Sequence, residues 1–229
     1  MEYLDVVIAA IAATGGLGLA AVGLVDALKA LPFTGIGTMG FGHVKTATAR
    51  FGATLAAAVG PDWLTVIRAH WVNGRPVGEQ KAMIRSLLRL GLTSGTAEEL
   101  AAIGNVDAAA LSAVAAKIAA GKELTAADIT LLGRVEAVVQ ARLDAAFDMA
   151  DQAYRSRARL VAGVFAVALA AISWPILNSV WSLPALIADK NFWVAVLAGL
   201  FAVPIAPVAK DLISALSAGA KATKAVRSL

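Results

Sequence analysis

Cysteine is absent from the chain, which excludes a disulfide framework, a thiolate metal site and a cysteine nucleophile. Histidine is almost absent: His43 and His70 are the only two, and their separation of 27 positions is not a paired-ligand spacing on one helix. Charge is scarce too. Asp, Glu, Lys and Arg make up 16% of 229 residues, against about a quarter in soluble domains. Aromatic residues contribute only 6%, so the 59% apolar content comes mainly from Ala, Val, Leu and Gly. A mean hydropathy of +0.74 on that composition suits closely packed helices in a bilayer. The net charge of +4 is spread along the chain rather than packed into a dense basic cluster, which argues against nucleic acid as a partner. No nucleophile, base and orienter set can be named, so neither an enzyme nor a cofactor site is expected.

What is present is three long apolar runs. The first covers Leu4 to Leu28, and its stretch from Val6 to Val25 holds 20 residues without a charge, the length a bilayer requires. Its short leader carries Glu2 and Asp5 and no Lys or Arg, so it reads as a retained span rather than a signal peptide. The second runs from Leu160 to Leu183, with Trp174 and Trp181 towards its far end, where amphipathic rings settle at a headgroup boundary. The third runs from Phe192 to Ala209, with Trp193 at its start and with Pro204 and Pro207, which are expected to kink it or end it early.

Basic residues near span ends set orientation. Of 20 Lys and Arg, 15 lie between the first and second spans, and Arg155, Arg157 and Arg159 stand directly before the second. The tail adds Lys210, Lys221, Lys224 and Arg227, whereas the loop between the last two spans has only Lys190. The expected topology places the N-terminus outside and the central domain and C-terminus in the cytoplasm, across the cytoplasmic (inner) membrane of a bacterial cell.

Between the spans the pattern is helical throughout. It begins with a glycine-rich loop, 32–42, that contains Gly35-x-Gly37-x-x-Gly40. The dinucleotide chemistry of that motif needs a preceding strand. A membrane helix precedes it here, so the loop reads as flexible, with Phe33 and Phe41 turned towards lipid. Trp63, Val66, Ile67, His70 and Trp71 recur at helical spacing, and Asn73-Gly74-Arg75-Pro76 breaks the chain. Ile84, Leu87 and Leu88 form the apolar face of the next helix, which ends near Gly91. Thr96 with Glu99 reads as a capping box, and Asp107 caps a run ending at Gly121. Thr125 with Asp128 opens the longest helix, with Ile129, Leu132, Val139, Leu143, Phe147 and Tyr154 on one face. No breaker precedes Arg159, so this helix is expected to run from the domain into the second span, as far as Pro175.

Two charged stripes face the question of ligand or solvent. Lys81, Arg85 and Arg89 stand at i, i+4 and i+8; they suit anionic headgroups or an acidic partner, although a solvated face needs no ligand. Asp144, Asp148 and Asp151 line the long helix with Arg155 four beyond the last. Lacking a Glu-x-x-His companion, they read as a solvated face with the basic stripe as a partner rather than as a metal site. Within the spans, Asn178 is the one strongly polar side chain of the second, placed either to bond a neighbouring helix or to meet water.

Small residues recur in all three spans: Ala12, Gly16 and Ala20; Ala162, Ala166 and Ala170; Ala198, Ala202 and Ala206. Such faces let helix backbones approach closely, and together they predict self-association.

The stretch from Ala141 to Ser173, with Phe147, Asp148, Tyr154 and Arg155, resembles a group of uncharacterised bacterial membrane proteins. In that group one N-terminal span, a cytoplasmic helical segment and an Arg-rich juxtamembrane stretch precede a terminal pair of spans. The aromatic residue expected before Phe147 is missing here. The resemblance implies the same topology and brings no activity with it.

The expected protein is therefore all-α: an integral membrane protein of three transmembrane helices with a small cytoplasmic helical bundle. Its organisation reads as an N-terminal span at 1–28, a helical domain at 29–159, a helix pair at 160–209 and a basic amphipathic tail at 210–229. The expected function is a non-enzymatic membrane assembly or scaffold protein, a homo-oligomer or an accessory subunit bound to other membrane proteins; the alternative is a pore subunit formed by several copies. Anionic lipid headgroups are the expected contacts of Lys81, Arg85, Arg89, Arg155, Arg157, Arg159, Lys221, Lys224 and Arg227 on the cytoplasmic face.

Overall fold

A computed structural model describes residues 2–29, 31 and 34–227, with side chains excepted at 2–5, 212–213 and 216–227. Among these residues the secondary structure is helical, without strands. Ten α-helices follow in order: α1 Glu2–Lys29, α2 Phe41–Ala49, α3 Gly52–Val59, α4 Trp63–Val72, α5 Val77–Gly91, α6 Ala97–Gly104, α7 Ala108–Ala119, α8 Ala126–Asn178, α9 Leu183–Ala188 and α10 Lys190–Arg227. The chain divides into two compact units: Thr38–Tyr154, and Met1–Gly37 with Arg155–Leu229. Helices α1, α8 and α10 each hold a stretch long and apolar enough to cross a membrane. α8 is one continuous helix of 53 residues that contributes to both units. No proline, glycine pair or cap interrupts it before Arg159, and Pro175 lies inside it.

The unit Thr38–Tyr154 is a bundle around one core. Phe51, Leu55, Ile67, Ile84, Leu111, Leu143 and Phe147 are fully buried in it. Phe41, Trp71 and Phe147 meet ring to ring, with centroids 6.1 and 6.2 Å apart, tying α2, α4 and α8 together. Phe41 is thus a core residue of this unit rather than a lipid-facing one, because Gly40 turns the chain at φ +85° and directs α2 inward. A Cβ at Gly40 would collide with the Ala150 carbonyl of α8, so this glycine serves a turn and a close helix approach. Gly35 also sits at positive φ, and Ile36–Thr38 forms a 3₁₀ turn with Ile36 and Gly37 buried. Phe33 lies outside the described residues.

Two expected apolar positions face water. Val66 on α4 and Ile129 on α8 are exposed, while Leu64 and Val135 take part in the core instead. The expected helix starts divide in the same way. Asp107 accepts from Ala110 N at 2.7 Å, and Thr125 with Asp128 caps α8 reciprocally at 2.8 and 3.3 Å. Thr96 occupies the N-cap of α6, but no capping box forms. Its hydroxyl donates to the Gly91 carbonyl at 2.7 Å. Glu99 instead crosses to α3, which has no cap of its own, and accepts from Ala53 N, Thr54 N and Thr54 Oγ1 at 3.0, 2.8 and 2.6 Å. A carboxylate at a helix N-terminus meets free N–H groups and the positive end of the macrodipole.

In the other unit, α1 packs along α10. α8 continues past Pro175, its expected limit, and ends at Asn178 within the expected span to Leu183, because Ser179 takes a left-handed conformation at φ 55°. The connection to α10 satisfies its own polar groups. Trp174 Nε1 donates to Asp189 at 3.1 Å, Asn191 N donates to Asp189 at 2.9 Å, and Trp193 Nε1 donates to the Ile187 carbonyl at 2.9 Å. Asn178 bonds back to Trp174 O on its own helix at 3.0 Å rather than to a neighbour. Neither Pro204 nor Pro207 ends α10, which continues through both to Arg227. An apolar medium offers freed backbone groups no solvent, so a helix persists across proline there more readily than in water. The tail is accordingly part of α10. The side chains of Leu212, Ile213, Leu216, Lys221, Lys224 and Arg227 lie outside the description.

Candidate functional site

The basic stripe of α5 meets the acidic stripe of α8. Lys81 Nζ lies 2.7 Å from Asp144 Oδ1, and Gln140 Nε2 donates to both oxygens of the same carboxylate at 2.7 and 2.8 Å. The Lys81 hydrogen bond first, then Gln140, holds the Asp144 carboxyl below the usual carboxylate range. Arg89 grips Glu136 with two hydrogen bonds, at 2.6 and 3.0 Å. Lys81 and Arg89 are therefore engaged inside the domain. Arg85 between them has a buried Nε without a hydrogen-bond partner. The Arg89–Glu136 pair is largely exposed and the Lys81–Asp144 pair is partly so, and ion pairs open to solvent add little to stability. They align α5 with α8 more than they hold it there. Arg155, Arg157 and Arg159 are all exposed on α8.

The small residues of the spans separate into two classes. On α8, Ala162, Ala166 and Ala170 are buried, and Gly199 of α10 sits against the Ala166 carbonyl and the Ala170 methyl. On α10, Ala202, Ala206 and Ala209 are buried and Ala198 is half-buried. The face of α1 that meets α10 is not Ala12, Gly16 and Ala20 but Gly15, Gly18, Ala21 and Val25. Added Cβ atoms at Gly15 and Gly18 would collide with Ala209 and with the Ala202 carbonyl, so these two glycines set the approach of the helices. Steps of four precess by about 40° each on a helix of 3.6 residues per turn, so a stripe written at fours drifts off the face that packs. The mixed three- and four-residue spacing of Gly15, Gly18, Ala21 and Val25 was the signal available in the sequence.

Six of the eight remaining small residues of α1 form a second line. Ala9, Ala13, Gly16, Ala20, Gly23 and Ala27 recur at steps of four and three, and every one is exposed. A Cβ at Gly16 or at Gly23 would meet nothing within 4 Å. Thr14 is half-buried beside Gly15 rather than on this line. Alternating steps of four and three average 3.5 residues, the period at which one helix follows another in a left-handed pair. The line thus has the spacing and the side-chain size for a helix partner and meets none among the described residues. No protein family, curated protein or solved structure matches this chain.

Proposed function

We propose that this chain is a non-enzymatic membrane assembly protein that associates through α1 and presents its helical domain on the cytoplasmic side. The observation that carries this reading is the exposed, heptad-spaced line Ala9, Ala13, Gly16, Ala20, Gly23 and Ala27. Large side chains give no hydrophobic gain to helix association in lipid, so close backbone approach through small residues is what favours a partner. The continuous helix α8 supports coupling of the domain to the spans, since helical hydrogen bonding runs through it without interruption. The excess of Lys and Arg between the first two spans supports an N-out orientation.

Native mass in a mild detergent or nanodisc tests the assembly. Gly16→Leu is expected to split the wild-type oligomer while leaving the protomer folded, because a side chain there enters open space. Gly18→Leu is expected to disrupt the protomer itself, because the new side chain strikes α10. An unchanged native mass in Gly16→Leu would sink the α1 interface. A monomeric wild type bound to other chains would make this an accessory subunit. For orientation, the absence of cysteine makes Ser94→Cys a single label site, expected to be shielded from a membrane-impermeant thiol reagent in intact cells.

A further inference from the structure

A groove of about 610 Å³ opens between α8 and α10, with Arg159 and Gly163 on one wall and Leu200, Val203, Pro204 and Pro207 on the other. Its second wall is chemically unusual. A proline nitrogen has no N–H, so in a helix the carbonyl four residues earlier loses its donor. For Pro204 and Pro207 those carbonyls belong to Leu200 and Val203, and both residues line the groove. Two backbone acceptors that lack an i+4 donor therefore belong to residues lining an otherwise apolar space, where an unpaired carbonyl is costly. On the opposite wall Arg159 is exposed and has no hydrogen-bond or ion-pair partner among the described residues. Gly163 keeps the groove open, since a Cβ there would touch nothing within 4 Å.

Depth selects the occupant. Arg159 directly precedes the apolar run of α8, and the apolar stretch of α10 ends at Lys210 and Asp211. The Arg159 end of the groove thus lies at the charged end shared by the two spans, where headgroups meet hydrocarbon, and the groove runs inward from there to Leu200. A phosphate there finds a guanidinium, which pairs with it readily, and a donor beside that phosphate has two carbonyls without an i+4 donor on the facing wall. We propose that this groove binds a phospholipid whose headgroup carries an N–H or O–H donor beside its phosphate, with its phosphate on Arg159, the donor on the carbonyls of Leu200 and Val203, and an acyl chain over Gly163. Ethanolamine and glycerol headgroups meet that description. Choline, which has no N–H, does not. The inference stands whether or not the chain self-associates.

The test uses the full chain in nanodiscs of equal parts phosphatidylethanolamine, phosphatidylglycerol and phosphatidylcholine, with lipids retained after mild delipidation counted by native mass spectrometry. The ethanolamine and glycerol lipids are expected to exceed the choline lipid by roughly three- to tenfold, the factor that one net hydrogen bond supplies. Which of the two dominates identifies the donor. Arg159→Gln is expected to reduce retention of all phospholipids, and Gly163→Leu to displace lipid by filling the groove. The double variant Pro204→Ala with Pro207→Ala restores both N–H groups to the helix. It is expected to erase the headgroup preference while retention through Arg159 persists. Circular dichroism of each variant checks that the helices remain formed. Equal retention of the choline lipid by the wild type, or a preference that survives the double alanine variant, overturns the proposal; so does unchanged retention in Arg159→Gln.

Discussion

The unit Thr38–Tyr154 fully buries large side chains, Phe51, Leu55, Ile67, Ile84, Leu111, Leu143 and Phe147, along with alanines such as Ala97, Ala101 and Ala150. In the unit holding the apolar spans most of the buried residues described are small, among them Gly15, Gly18, Ala21, Ala162, Ala166, Ala202, Ala206 and Ala209, and only Val25, Ile36 and Pro175 are larger. The same chain leaves its large apolar residues outside in that second unit, with Leu160, Val164, Leu197, Leu200 and Phe201 all exposed. Solvent explains the inversion. In water, burying a large side chain removes more apolar area, at about 25 cal/mol per Å². In lipid that gain is missing, and the helices that approach most closely have the best dispersion contacts and carry the least side-chain bulk. Gly91 on α5 is an instructive exception within the first unit, since a Cβ there would collide with the Thr54 carbonyl of α3.

The comparison can be broken most severely at Phe147. Phe147→Ala removes a fully buried ring from the Phe41–Trp71–Phe147 cluster, and a loss of about 3–5 kcal/mol is expected from such a truncation. Denaturant unfolding of the detergent-solubilised protein, followed by tryptophan fluorescence, would register it. In the unit of small residues the opposite change does the damage. Gly18→Ala adds one methyl group against the Ala202 carbonyl, with a cost of about 1–3 kcal/mol expected for overpacking. Adding the same methyl at Gly16 should leave protomer stability unchanged or slightly raised, since it meets nothing and alanine favours a helix over glycine. Thermal midpoints of the two variants, measured together, separate the packed face of α1 from the open one.

Smaller effects come from polar contacts of the helical domain. Glu99→Gln weakens the carboxylate cap of α3, and a loss of about 1 kcal/mol is expected at that helix start. Amide exchange at Ala53 and Thr54 would locate the effect. The smallest change is one of pH. The hydrogen bond from Lys117, and next those from Thr125, lower the Asp128 carboxyl from 3.8 to about 2. A carboxylate so depressed stabilises the fold above the unfolded value of 3.8, and that contribution is lost as pH falls through about 2. Asp128→Asn should therefore narrow its stability gap to the wild type as the pH is lowered from 4 towards 2. A gap that stays constant across that window would remove Asp128 from the acid limb.

Much of the architecture was legible in local pattern. The three apolar runs, the break at Asn73 to Pro76, the caps at Asp107 and Thr125 and the uninterrupted course of α8 each depend on residues a few positions apart. What misled was the assumption that a local signature is satisfied locally. Glu99 stands three residues after Thr96 in a capping pattern, yet it caps a helix 45 residues upstream in sequence. Phe41 sits in a glycine-rich stretch next to a span, yet it belongs to an aqueous-type core with Trp71 and Phe147. Pro204 and Pro207 look like terminators, yet α10 continues past both.

The amino-acid sequence by itself determined the class of this protein: helical periods, spans of bilayer length and the placement of breakers are properties of contiguous residues, and solvent preference acts on them directly. Only the tertiary structure decided which line of small residues on α1 is consumed by α10 and which remains open. The same holds for Lys81 and Arg89, whose partners lie on a helix 47 or more positions away. A helix carries several possible faces in its sequence. The one that is used depends on the approach of another helix, and that approach is set where backbones can come closest: at Gly15 and Gly18, against Ala202 and Ala209.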